Sequence, residues 1–282
     1  MAGRSRGGSR AHAEITAIRH AFFSQLPSTE AAGALNRAFE EYLVPIQFSP
    51  EQLQLHMRYN DVSASMSPVW FDDEGAVVAA ALLAIRDTRG WVGGFAVAPR
   101  YRGQDYGKAL IRYVVNAARE SGVNRISLEV LTENTAAIAL YRSAGFAIRR
   151  RLISFETLIE RAPLPTEFSR VSPADLLSVE EATTPCWQRE PATLRNGAAS
   201  HAVRDPHGNY ALFRHNETLA QVFKAHAADA RALIALTQAL TIGQEFETVL
   251  LLNEPEESAL TGYAREAGWN EPFVQYEMEL QL

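Results

Sequence analysis

The sequence predicts an α+β fold in two similar halves, on three observations. At 282 residues the chain exceeds what one hydrophobic core usually serves, so two domains are expected. Strand-like runs joined by short turn signals are interleaved with amphipathic helical runs. The ends of the two halves also superimpose without a gap. With Gly145 on Gly268, "ISLEVLTENTAAIALYRSAGF" (126–146) meets "VLLLNEPEESALTGYAREAGW" (249–269). Both read as strand, acidic turn, helix, then Arg-x-Ala-Gly-aromatic, as a duplicated unit would.

In chain order, "MAGRSRGGSRAH" has the Gly, Ser and Arg content of a disordered tail (1–13). "EITAIRHAF" reads as a strand. "STEAAGALNRAFEEY" is helical through Ala32, Leu35, Ala38 and Phe39, with Ser28 or Thr29 as cap. "SPEQLQLHMRYN" is a second helix, with Ser49 at the cap, Pro50 in the first helical position and Gln52 completing a capping box. The strands "SMSPVWFDD", "GAVVAAALLAIR" and "GWVGGFAVA" follow. A helix runs to Ser121 with Leu110, Ile111, Val114, Val115 and Ala118 on its apolar face. "RISLEVL" is a strand, Asn134–Ala144 a helix and "FAIRRRLISFETLI" a long strand. The proline-rich "RAPLPTEFSRVSP" (161–173) reads as a linker. Beyond it come a helix from Pro173, an irregular Pro/Cys/Trp stretch, three strands, the helix "ADARALIALTQAL", the strand "ETVLLLN", a helix from Glu256 and the strand "PFVQYEMEL".

Composition narrows the function classes. No apolar run approaches the roughly 20 residues of a membrane span, and the basic start lacks an apolar segment behind it, so a cytoplasmic protein is expected. The single cysteine, Cys186, rules out an internal disulfide framework and reads as structural. Residues 1–160 carry 18 Lys/Arg against 16 Asp/Glu, and residues 161–282 carry 9 against 17. The acidic second half disfavours nucleic acid and leans towards cationic partners. The seven histidines show no metal-ligand spacing, so no metal is expected.

The chemistry concentrates in "PRYRGQDYGKAL" (99–110), where Arg102, Gly103 and Gly107 open an amphipathic helix. Free amides at a helix N-terminus attract phosphate, and glycine lets backbone come close. A nucleotide P-loop is excluded, because Gly103 and Gly107 enclose three residues and Ala109 follows Lys108. A Rossmann fingerprint is absent. A plain capped turn is the alternative for the loop taken alone. Two adjacent glycines, Gly93 and Gly94, mark a bulge or close backbone approach in the preceding strand.

Together, Arg102-Gly103-Gln104-Asp105-Tyr106-Gly107 and a second pattern, Asn134, Ala137, Tyr141, Gly145 and Phe146, resemble the GNAT superfamily of N-acetyltransferases over about residues 14–160. The resemblance implies two GNAT-like domains, each a mixed, mostly antiparallel twisted sheet flanked by helices. The first (14–160) would be catalytic and the second (174–282) degenerate. It implies that acetyl-CoA binds to the loop from Arg102 through Gly103, Gln104, Asp105, Tyr106 and Gly107 to Lys108. The pantetheine arm would lie along Phe95, Ala96 and Val97, touching Asn134. Tyr141 would protonate the departing thiolate and Glu129 would serve as base. The residue-level alternatives are a helix-spaced aromatic for Tyr141 and an ion-paired acid for Glu129.

Asp105 departs from the family's glycine. A left-handed backbone there is expected to strain it, and its charge to weaken phosphate binding without abolishing it. In the gapless match Glu129, Asn134 and Tyr141 become Leu252, Glu257 and Ala264. The second half is therefore expected to complete the acceptor cleft or to form an oligomer interface, compatible with a homodimer. The expected acceptor is a small polar amine, held between the segments around Tyr42–Leu55 and the strand "SMSPVWF". The alternative is a catalytically decayed acyl-CoA-binding regulatory or scaffold protein.

Overall fold

The computed structural model describes residues 17–159 and 165–282. The predicted tail (1–13), the first residues of the predicted first strand and residues 161–164 of the predicted linker lie outside the described residues.

The first half runs β1 (Arg19–Phe22), α1 (Ser28–Ala38), α2 (Pro50–Tyr59), β2 (Pro68–Phe71), β3 (Val77–Arg86), β4 (Arg89–Val97), α3 (Tyr106–Glu120), β5 (Arg125–Leu131), α4 (Thr135–Ser143) and β6 (Ala147–Leu158). The second runs β7 (Ser169–Val171), α5 (Ala174–Leu177), α6 (Pro191–Arg195), β8 (His201–Arg204), β9 (Tyr210–His215), β10 (Leu219–His226), α7 (Ala230–Ala239), β11 (Thr248–Pro255), α8 (Ala259–Glu266) and β12 (Asn270–Gln281).

Local chemistry explains most boundaries. Ser49 Oγ accepts from the Gln52 N–H while Gln52 Oε1 accepts from the Ser49 N–H, closing the predicted capping box of α2. α1 departs from expectation at both ends. Its cap is Pro27 with no side-chain bond, and it stops at Ala38, with Glu41 in the left-handed region shortly after. The helix expected from Glu256 begins at Ala259 instead, because Ser258 caps it through the Thr261 N–H. Within the expected linker, Ser169–Val171 form an edge strand paired to β8.

The halves share one twelve-stranded sheet of order β1-β2-β3-β4-β5-β12-β6-β11-β10-β9-β8-β7. Only β4–β5 and β10–β11 are parallel neighbours. The centre of the order is a reciprocal exchange. The last strand of the second half, β12, pairs with β5, and the last strand of the first half, β6, pairs with β11. Side chains follow: Met278 of β12 packs among Ile126, Leu128 and Val130, while Ile153 and Phe155 of β6 join Val249 and Leu251. Each core is completed by a strand from the other half.

The duplication read from the sequence reappears in the helix ends. Gly145 (φ 95°) and Gly268 (φ 74°) both turn left-handed after their helices. The next residues, Phe146 and Trp269, donate back to Tyr141 O and Ala264 O, as a Schellman cap requires.

Candidate active site

The loop before α3 is built open. Gly103 (φ 73°) and Asp105 (φ 62°) both take left-handed backbone, and Asp105 occupies the cap position without capping. The first helical bond runs from the Ala109 N–H to Asp105 O. The amides of Tyr106, Gly107 and Lys108 therefore have no intrahelical acceptor. Those of Gly103, Gln104 and Asp105 donate to nothing among the described residues. Asp105 points outward instead, and its Oδ1 pairs with Lys108 Nζ at 2.8 Å. That ammonium, first as hydrogen-bond donor and then as charge, holds the Asp105 carboxyl below its usual range. Arg102 is tethered: Nε donates to Val97 O at 3.0 Å and Nη2 to Glu40 O at 2.5 Å. Gln104 bonds Arg100 O, and Tyr106 stands edge-on to Tyr101. A Cβ on Gly107 would lie 3.2 Å from Leu140, so glycine lets the start of α3 pack against α4.

Behind the loop, β4 and β5 pair only from Arg89/Arg125 to Val92/Leu128, then splay. The break coincides with a bulge: Leu82 faces Gly94 and Leu83 faces Val92, leaving Gly93 as the extra residue. From there Phe95, Ala96 and Val97 pair with β3 on one side and have no strand partner on the other, where β5 has splayed away. Gly93 is obligatory for a second reason. A Cβ there would stand 2.1 Å from the Trp91 ring, which folds over it.

Trp91 links the bulge to the acid. Its Nε1–H donates to Glu129 Oε2 at 2.7 Å, and its ring stacks on Trp187, centroids 6.0 Å apart. The other oxygen, Glu129 Oε1, is buried without a partner, and the residue lines the cleft. Burial first, then the Glu277 carboxylate, pushes the Glu129 carboxyl up to about 8. The expected alternative, an ion-paired acid, is not what is found: Glu129 makes no salt bridge among the described residues. Tyr141 is buried, edge-on to Phe95, and burial, with the Tyr42 hydroxyl adding to it, raises its phenol. Asn134 Oδ1 caps α4 through the Ala137 N–H at 3.1 Å.

Of the site residues expected from the sequence, all except Gln104 and Tyr106 line one cleft of about 980 Å³. Its far wall corrects the sequence reading. β2, with "SMSPVWF", does not line it; Gln188, Arg214, Leu252 and Asn253 of the second half do, facing His56 of α2. β2 is separated from β4 by β3, which keeps it out of reach. Trp91, His56 and Arg214 were not singled out from the sequence. Trp91 lies two residues before the flagged glycine pair, which was a usable signal. The other two carry none, since long-range packing alone brings them together.

The equivalent features of the second half are closed. Asp229 caps α7, its Oδ1 accepting from the Ala232 N–H. The β10–β11 pairing ends at Val222/Leu251, but the gap beyond is filled by the buried Arg189. Its Nε donates to Phe223 O and its Nη1 to Asn253 O and the Glu254 carboxylate. Arg189 thus bridges the strand edges that lie open between β4 and β5.

Among the described residues, no three or more His, Cys, Asp or Glu are placed to hold a metal ion, and no helix is long and apolar enough to cross a membrane.

Residues 32–146 match the acetyltransferase (GNAT) family. Among curated proteins, the chain is similar to the uncharacterized N-acetyltransferase YobR of Bacillus subtilis, 30% identical over 112 residues, 38% of this chain and 44% of that protein. It is also similar to the [ribosomal protein bS18]-alanine N-acetyltransferase of Escherichia coli, 45% identical over 51 residues, 18% of this chain and 34% of that protein. The chain spans less than half the length of these curated relatives. Over nearly its whole length it shares the fold of a tandem GNAT protein from the clavulanic acid biosynthesis pathway, with TM-score 0.65, 14% identity, and 94% and 98% of the two chains covered. A GCN5-related N-acetyltransferase from Sphaerobacter thermophilus gives TM-score 0.68 at 14% identity, covering 94% and 95%.

Proposed function

We propose, from the match of residues 32–146 to the acetyltransferase (GNAT) family, that this protein moves the acetyl group of acetyl-CoA to the primary amine of a small polar molecule. The carrying observation is that one cleft joins open amides at one end to a buried, half-partnered carboxyl at the other. The division of labour follows the chain: an active first half (14–160), a linker (161–173) and a second half (174–282) that walls the acceptor side.

The residues fit the co-substrate. The unpaired amides of 103–108, with Arg102 and Lys108, suit a pyrophosphate, and the edge of Phe95–Val97 that lacks a strand partner suits the amide-bearing arm that follows. Acetyl-CoA supplies an activated thioester when bound. Glu129, in the fraction ionised as pH approaches about 8, takes a proton from the incoming ammonium, leaving the amine lone pair free to attack. As the nitrogen–carbon bond forms and the carbon–sulfur bond breaks, Tyr141, held protonated by burial, gives its proton to the sulfur and is restored by the proton that the new amide nitrogen sheds. The products are an N-acetyl amine and CoA thiol.

One observation favours a second reading, a binding protein without turnover. The strained Asp105 occupies Lys108, which the phosphates would otherwise use. Calorimetric titration of acetyl-CoA, with thiol release measured over an amine panel, separates the two. Micromolar binding with turnover upholds the enzyme; tight binding without acetylation of any amine upholds the binding protein.

A further inference from the structure

The far wall of the cleft opens into a groove of about 380 Å³ between α2 and the strands β9 and β10, shared through Phe48, His56, Gln188, Arg214 and Leu252. Although the second half is acidic overall, no Asp or Glu lines this groove.

Arg214 is an exception among the covered arginines. Arg86 pairs with Asp61 and Glu190, Arg150 with Glu277, and Arg189 with Glu254. Arg214 instead donates Nε and Nη2 to the neutral amide oxygen of Gln221, at 3.1 and 2.7 Å, and meets no carboxylate among the described residues. Its guanidinium lies against the rings of Tyr59 and Phe223, at 5.9 and 5.1 Å. Burial depresses its proton affinity, as expected for a cation lacking a counter-charge. Across the shared wall, His56 Nε2 is buried without a partner. A half-buried guanidinium facing a cleft, braced by an amide and two rings but left unneutralised, is built for an anionic group from a ligand.

We infer that the acceptor is an amino carboxylate, its carboxylate bound by Arg214 in this groove and its amine directed to Glu129. The inference rests on the acetyltransferase reading above and specifies its substrate class. A recognised carboxylate leaves a buried cation unpaired when an uncharged analogue binds, which makes discrimination steep.

The test compares amines with and without the anion: L-lysine against cadaverine, L-phenylalanine against phenethylamine, and O-phosphoethanolamine against ethanolamine, by CoA thiol release. The expected result is a preference of tenfold or more in kcat/KM for the amino acid of at least one pair. Arg214→Gln should abolish it through KM, and Arg214→Lys should restore part of it. Circular dichroism and melting of both variants exclude unfolding as the cause. Equal rates within each pair overturn the inference and leave the acetyltransferase standing. A preference confined to O-phosphoethanolamine overturns the carboxylate assignment in favour of a phosphate. If no amine is acetylated, the enzyme reading falls, and equilibrium binding of L-lysine and L-phenylalanine decides the groove. Binding lost in Arg214→Gln supports the carboxylate subsite, and no binding overturns it.

Discussion

Glu129 and Glu277 stand directly opposite one another on β5 and β12, two carboxylates as cross-strand neighbours, and only Glu277 is neutralised. Arg150 Nε at 2.7 Å and Arg149 Nη1 at 3.1 Å both reach Glu277 Oε2, while Glu129 receives only the Trp91 indole. Burial does most to raise the proton affinity of Glu129, and the like charge of Glu277 adds to it. The exchange of β12 into the first half therefore adds to the raised proton affinity of the cleft acid, through a residue 148 positions away in sequence.

For a base held at about 8, kcat/KM should rise with pH and level off above it. Glu129→Gln should cut kcat by about 10²-fold and remove that inflection. A profile unchanged by the substitution would exclude Glu129 as the base.

The same group sets a stability slope. Its folded value lies above the usual 4.5, so the folded state keeps a proton that the unfolded chain has lost. Stability from this source is complete below about 4.5 and declines as pH rises through about 8. Glu129→Gln should flatten the decline in melting temperature between those limits.

Asp105→Gly removes a side chain from a left-handed position and releases Lys108. Acetyl-CoA should bind several-fold more tightly by calorimetry, and the protein should melt no lower. Weaker binding would mean that the Asp105–Lys108 pair itself orders the loop.

Gly93→Ala would drive a methyl into the Trp91 ring and pull the indole from Glu129. Overpacking of this kind costs about 1–3 kcal/mol, and activity should fall further than stability accounts for. Retention of full activity would show the bulge to be incidental.

Arg189→Ala should destabilise by about 3–5 kcal/mol, because it strands a buried Glu254 carboxylate and two backbone carbonyls. Chemical denaturation measures this. A neutral result would mean water replaces the plug without loss.

What the sequence determined by itself was whatever depends on neighbours in the chain. The capping box of α2, the glycine-ended helices of the repeat, the Gly93 bulge and the loop opening α3 all rest on residues a few positions apart. Such signals survive in one dimension because backbone sterics and capping bonds are local. The family pattern of Asn134 and Tyr141 was legible on the same ground. Tertiary structure alone decided the rest. The resemblance implied two sheets but not the exchange of β6 and β12, through which each strand joins the core of the other half. The net charge of the second half pointed to cationic partners, yet the groove it builds holds Arg214 and no acid, because charge counts carry no direction. The indole of Trp91, the proton affinity of Glu129 and the plug of Arg189 all depend on burial among residues far apart in the chain, and no sequence window contains that distance.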